Sequence, residues 1–302
     1  MPKRQQHECN FADPSGILVD RCELRRNALK RLLALTTLLG SAAWSATTAG
    51  EELAKANKPS SNTTPWPFRN QVDRFVLYSN HPLQTANKLL QEWSQLKSDI
   101  EEVLQVSCDR GEYHLVIFDR DETFKDYIQH YFPKVPLRRA LFIKHRGPGI
   151  IFTYHHDDVL TDIRHEGTHA LLSEACGTLP LWLDEGLAEY FETPRDQRFA
   201  GSPHLKETRW RARLGQIPDL QRLESSSQIS DMDNTDYRDA WAWVHFMLHR
   251  SQESRALLNG YLAQARQLGE GFHFHSQIPK VLPDLRNEFV AHFRSYPVTL
   301  DH

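Results

Sequence analysis

The sequence predicts an α+β fold, an N-terminal half of alternating strands and helices followed by a mainly helical C-terminal half. Three observations predict it. Apolar runs of strand length at 74–78, 114–118, 141–143 and 150–154 are interleaved with segments of helical spacing. From about residue 158 onward the apolar residues recur at helical spacing. At the change of pattern lies His165-Glu166-Gly167-Thr168-His169, an H-E-x-x-H sequence whose chemistry requires a helix.

The chain has 302 residues, 40% hydrophobic and 25% charged, enough for one large or two small domains with a core of normal size. Residues 1–49 read as a targeting segment. Arg25-Arg26, then Leu29-Lys30 and an apolar run from Leu32 to Trp44, resemble a twin-arginine export signal. The run is too short for a membrane span, which needs about 20 apolar residues. Cleavage after Ala43 or Ala49 would leave an exported chain, periplasmic or extracellular, with no stable membrane span. An uncleaved anchor or a mitochondrial-type presequence is the alternative. Residues 50–70, rich in Lys, Asn, Ser, Thr and Pro, read as a linker. The domain proper is then 71–300, divided into an α/β half at 71–177 and a helical half at 178–300.

The leader carries seven Lys/Arg against four Asp/Glu, so from a chain charge of −3 the remainder holds about −6. A mildly acidic body without a basic run argues against nucleic acid as a partner. Of the four cysteines, Cys9 and Cys22 lie in the leader. Export permits a disulfide between Cys108 and Cys176, and simple packing of both is the other reading.

Strands are expected at 74–78 and 114–118, flanking a helix from 82 to about 106 with Leu89, Leu90, Trp93, Leu96 and Ile100 on its apolar face. A short helix follows at 122–131. The strands at 141–143 and 150–154 are separated by Arg146-Gly147-Pro148-Gly149, a sequence suited to a hairpin. His155 and His156 come next, read as solvated residues rather than ligands. Asp157 or Asp158 can cap the metal helix, and Gly177 supplies its left-handed terminus.

On that helix His165 and His169 are i and i+4, so both imidazoles face one ion, and zinc suits two imidazoles at that reach. Glu166 projects about 100° round from His165, positioned to accept a proton from a water on the metal. A second stretch, Leu181-Trp182-Leu183-Asp184-Glu185-Gly186-Leu187-Ala188-Glu189-Tyr190-Phe191-Glu192, reads as a helix between Pro180 and Pro194. Glu185 and Glu189 share one face of it.

H-E-x-x-H followed by W-L-x-E-G-x-A-x-Y resembles the gluzincin metallopeptidases, with the second motif similar to that of the aminopeptidase N family. The block also resembles a bacterial exported peptidase-like domain family of unassigned function. The resemblance implies a zincin-like fold with Zn2+ at the junction of the two halves. It implies Glu185 as third ligand, after a gap of fifteen residues from His169, a few fewer than in thermolysin or aminopeptidase N. If Glu185 binds zinc, Glu189 is placed either to orient a ligand histidine or to face solvent. Asp184 reads as surface or outer shell. By the same resemblance the strand at 149–154 is the sheet edge beside a substrate cleft. Tyr237, opening an aromatic-rich helix at 235–248, is the candidate oxyanion donor. His245 reads as buried, and His273 and His275 as surface residues.

These readings predict a zinc metallopeptidase whose partner is a peptide or protein substrate. Glu166 serves as general base and His165, His169 and Glu185 as metal ligands. A zinc hydrolase of non-peptide amides or esters would use the same residues. A non-catalytic zinc-braced binding domain is the alternative of another class. An intact Glu166 and only three visible ligands count against it.

Overall fold

The structure is a computed structural model that describes residues 66–144, 148–268 and 272–294. The export segment (1–49) and residues 50–65 of the linker lie outside the described residues. Phe68, Arg69 and Asn70, read from sequence as the end of the linker, belong to the first strand.

The N-terminal half is a five-stranded mixed sheet. Its strands are β1 (Phe68–Val72), β2 (Phe75–Ser79), β3 (Tyr113–Phe118), β4 (Ala140–Ile143) and β5 (Ile150–Tyr154), in the order β1-β2-β3-β5-β4. Parallel pairing of β2 with β3 and of β3 with β5 forms the centre, and β1 and β4 are antiparallel additions at the two edges. Helix α1 (Ala86–Leu104) connects β2 to β3, and α2 (Asp121–Tyr131) follows β3.

Burial on both faces explains the nearly continuous apolar runs of the central strands. In β3, Leu115 and Ile117 face the main core with Leu90, Trp93 and Ile100 of α1. Val116 and Phe118 face the other way, into a smaller core closed by Phe124 and Ile128 of α2. The period-2 alternation of the strand thus divides one run of residues between two cores.

The C-terminal half is helical: α3 (Val159–Ala175), α4 (Leu181–Phe191), α5 (Leu205–Arg213), α6 (Leu220–Ser225), α7 (Asn234–His249), α8 (Gln252–Leu268), α9 (Phe274–Val281) and α10 (Leu285–Arg294). Helices α5, α6 and α9 have no counterpart in the sequence reading, because each is short and carries few apolar residues in register. Trp182, Leu183 and Leu187 of α4 and Trp241, Trp243 and Phe246 of α7 are fully buried in one core with α1 and α3. Among the described residues, no helix is long and apolar enough to cross a membrane.

Two glycines set how closely the site-bearing helices approach their supports. A Cβ on Gly167 would stand 2.8 Å from Trp93 Nε1, so α3 lies almost in contact with the indole of α1. A Cβ on Gly186 would stand 2.7 Å from the Ala240 carbonyl oxygen, so α4 rests on the α7 backbone.

The strand at 149–154 is not the sheet edge. β5 lies inside, hydrogen-bonded to β3 on one side and β4 on the other, and β4 is the outer strand. The hairpin itself forms as the Gly-Pro-Gly turn suggests, but its second strand takes the interior place by pairing in parallel with β3. Cys108 and Cys176 are buried free thiols, with no disulfide between them. Burial pushes them up to about 12 and about 11.

Candidate metal centre

Helix α3 brings His165 and His169 to one face, with ring centroids 5.1 Å apart. Helix α4 packs across it and aims Glu185 between them. Glu185 Oε2 is 3.7 Å from His165 Nε2 and 3.8 Å from His169 Nε2. These spacings are too long for hydrogen bonds. They are near the roughly 3.3–3.7 Å expected between ligand atoms that each lie about 2.0–2.2 Å from one four-coordinate ion. The three ligand atoms all lie within 4.8 Å of one another.

Two features fit a cation there. Glu185 is only 2% exposed, and among the described residues its Oε2 has no hydrogen-bond partner, which is costly for a buried carboxylate oxygen unless a cation meets it. The far nitrogens of both imidazoles face carboxylates. His165 Nδ1–H donates to Glu192 Oε2 at 2.9 Å, and His169 Nδ1 lies 3.0 Å from Asp184 Oδ2. The His165 contact is a hydrogen bond that fixes the tautomer and points Nε2 at the common centre, whereas His169 Nδ1 stands beside its carboxylate without hydrogen-bond geometry.

The electrostatics follow from four acids around two imidazoles. Burial pulls the His165 imidazole down, but Glu185, Glu192 and Glu166 outweigh it and hold the group well above its ordinary value. His169 is likewise lowered by burial and raised more strongly by Asp184 and Glu185, to about 9. Burial would raise the Glu185 carboxyl, yet His169, His165 and Arg138 bring it below the usual range. Burial raises Glu192.

Arg164, beside the first histidine, ties the centre together. Its Nε donates to the Glu192 carbonyl oxygen at 2.5 Å and its NH1 to Glu92 Oε1 at 2.8 Å. One buried guanidinium thereby joins α1, α3 and the end of α4, and holds the backbone of the residue that orients His165.

Glu189 does not take the orienting role open to it in the sequence. Its Oε2 is 2.8 Å from His204 Nε2, and Glu192, one turn further along α4, contacts His165 instead. Asp184 pairs with the second ligand histidine. His156 Nε2 lies 2.9 Å from Asp162 Oδ2, so it serves the α3 entry rather than the metal group. Asp158 holds the N-cap position, but its carboxylate goes to Arg139 at 2.9 Å.

Glu166 accepts a hydrogen bond at 2.7 Å from the backbone N–H of Phe142, in the outer strand. Tyr237 sits in the first turn of α7, fixed by a reciprocal cap. Asp233 accepts from the Asp236 N–H at 3.0 Å while Asp236 accepts from the Asp233 N–H at 3.2 Å. A cleft of about 350 Å³, open to solvent, is lined by Arg138, His165, Glu189, His204, Asn234 and Tyr237. Tyr237 is therefore brought to the same cleft as a ligand histidine. Its phenol is raised by burial and by Glu185.

Arg138, Asp184 as a partner of His169, and Glu192 escape the sequence reading. Arg138 is in a loop with no periodicity, and Glu192 follows the last residue of a helix, where direction depends on how α4 crosses α3. A further group, Glu224 with His273 and His275, also lies within metal-binding reach. Glu224 already accepts hydrogen bonds from the Phe274 N–H and from His275 Nδ1. It thus caps α9 from α6, and only His273 of the two histidines is a surface residue. His245 is fully buried, as its sequence context suggests.

Residues 159–267 match the model of a family described as "Protein of unknown function (DUF1570)". The match begins with α3 and ends in α8, so it contains the whole metal-capable group and Tyr237, but not the sheet. No curated protein matches the chain.

Proposed function

We propose that this chain is an exported zinc-dependent hydrolase, a peptidase of the gluzincin kind. The observation that carries the reading is the buried, unpartnered Glu185 Oε2 facing the Nε2 atoms of His165 and His169 from a second helix. A structural zinc site is usually closed by four protein ligands. Here three candidate ligands lie together among the described residues and one of them, His165, lines a solvent-open cleft, which favours a hydrolytic role.

Zinc held by His165, His169 and Glu185 would polarise a substrate carbonyl and make a water acidic at neutral pH. The other tasks fall to the chain itself. Glu166 takes the proton from the attacking water and returns it to the departing amine. Tyr237, at the opposite wall of the cleft, donates its phenol O–H to the oxygen on which negative charge develops. Glu192 keeps the His165 imidazole in the required tautomer, and the Asp184 carboxylate lies beside the His169 ring. The outer strand β4 offers backbone groups for pairing with an extended peptide, which favours a peptide over a small ester.

Elemental analysis of the purified protein and of Glu185→Ala, after zinc reconstitution, tests the centre. One zinc per wild-type chain, lost or strongly weakened in the variant, is expected. A wild type that binds no zinc after reconstitution would overturn the proposal. Glu166→Gln should then retain zinc and lose hydrolysis of a peptide library read by mass spectrometry.

A further inference from the structure

Glu189, the acidic wall residue of the cleft, meets His204 Nε2 at 2.8 Å, while Glu185 and Glu166 act on the Arg138 guanidinium only from beyond ion-pair distance. Among the described residues, Arg138 on the same cleft has no carboxylate within ion-pair distance, and its hydrogen bond is to the Tyr237 hydroxyl at 3.4 Å. Three other arginines of the fold are engaged with acids. Arg139 pairs with Asp158 and Asp162, Arg164 with Glu92, and Arg198 with Asp99. A guanidinium carries five donors in a planar fork that matches a carboxylate, and Arg138 has most of them unused.

Its place in the chain adds a direction. Arg138 stands two residues before β4, the exposed edge. A peptide laid antiparallel along β4 runs its C-terminal end toward Ala140, and so toward Arg138. The leaving side of the substrate is the side the guanidinium meets.

We propose that Arg138 binds a carboxylate of the substrate on the leaving side of the scissile bond, so that the cleft selects peptides that present a free acid there. The inference rests on the peptidase reading for the identity of the substrate. The shared chemistry is the carboxylate, whether a chain terminus or an acidic side chain.

The test compares three N-terminally labelled peptides of one sequence: the C-terminal acid, its C-terminal amide, and an amide ending in glutamate. Binding to zinc-reconstituted Glu166→Gln protein is read by fluorescence anisotropy, and cleavage by zinc-loaded wild type is read by mass spectrometry. The acid should bind at least about tenfold more tightly than the plain amide, as expected for a hydrogen-bonded ion pair. Arg138→Met should abolish this preference and Arg138→Lys should keep part of it. Equal behaviour of the glutamate amide and the acid assigns recognition to a side chain; behaviour like the plain amide assigns it to the terminus. Equal binding of acid and plain amide, or a preference that survives in Arg138→Met, overturns the anchor. Cleavage without such a preference leaves the peptidase reading standing and removes the anchor. An Arg138-dependent preference without cleavage of any peptide does the reverse. A role for Arg138 confined to positioning Tyr237 would lower turnover of acid and amide alike, and that outcome also overturns the proposal.

Discussion

Glu192 Oε2 stands 2.9 Å from His165 Nδ1, although the two residues lie on different helices and 27 positions apart. The contact couples the end of α4 to the ligand on α3, and Arg164 secures it by holding the Glu192 carbonyl. It ties the candidate ligand His165 to a residue outside the H-E-x-x-H and W-L-x-E-G-x-A-x-Y motifs. Glu192→Gln preserves volume and removes the charge. It should weaken zinc binding about 10–100-fold while leaving the fold intact. Competition with a chelator of known affinity measures this, and an unchanged zinc affinity would remove Glu192 from the centre.

Tyr237→Phe should fold and bind zinc as the wild type does. If the phenol stabilises developing charge, its loss should lower kcat by about 10²-fold with little change in KM. Steady-state kinetics on one cleavable peptide decide it. A rise in KM alone would make Tyr237 a binding residue.

Gly186→Ala places a methyl carbon 2.7 Å from the Ala240 carbonyl oxygen, a backbone atom that cannot rotate away. In an open helix the change would stabilise by about 1 kcal/mol. Here overpacking of α4 on α7 should dominate and destabilise the protein by about 1–3 kcal/mol. Urea unfolding midpoints of the two proteins check the sign, and a more stable variant would show that the helices separate freely.

Acid should destabilise the helical half through three histidines, His245 and His292 buried and His249 half-buried. Burial, with His249 and His292 beside it, holds His245 well below its ordinary value. Burial and Arg255 lower His249 to about 4, and burial, His249 and Arg250 lower His292 to about 3. The native state keeps these groups neutral, while the unfolded chain takes up protons below about pH 6.5. The unfolded state thus binds more protons between about pH 6.5 and 3, so stability is full above that window and falls as pH drops through it. Each group can contribute up to about 1.4 kcal/mol per pH unit. Urea midpoints at pH 7.5, 5.5 and 4.5 should decline, and His249→Gln should decline less steeply. Parallel slopes for both proteins would exclude His249 as a source.

Legibility in the sequence followed the range of the interactions involved. His165, Glu166 and His169 were readable because a single helix fixes their directions, and the helix over 181–191 was readable from its apolar pattern between two prolines. The choice between Glu189 and Glu192 was not. Both lie on the Glu185 side of α4, and the crossing of α3 over α4 selects the second. The place of the hairpin strands was also hidden. A hairpin has two ways to join a sheet, and the parallel pairing of β5 with β3 decides which strand is outermost. Arg138 gave no signal because it lies in a loop, where no local pattern tells which groups its guanidinium meets.

The N–H of Phe142 that Glu166 holds belongs to the outer strand, where an incoming peptide would seek its backbone partners. One donor therefore has two claimants. A substrate that took this amide for its own carbonyl would release the Glu166 carboxylate at the moment of docking. Arrival of the substrate and arming of the base would then be a single event, and a vacant cleft would keep its proton acceptor occupied.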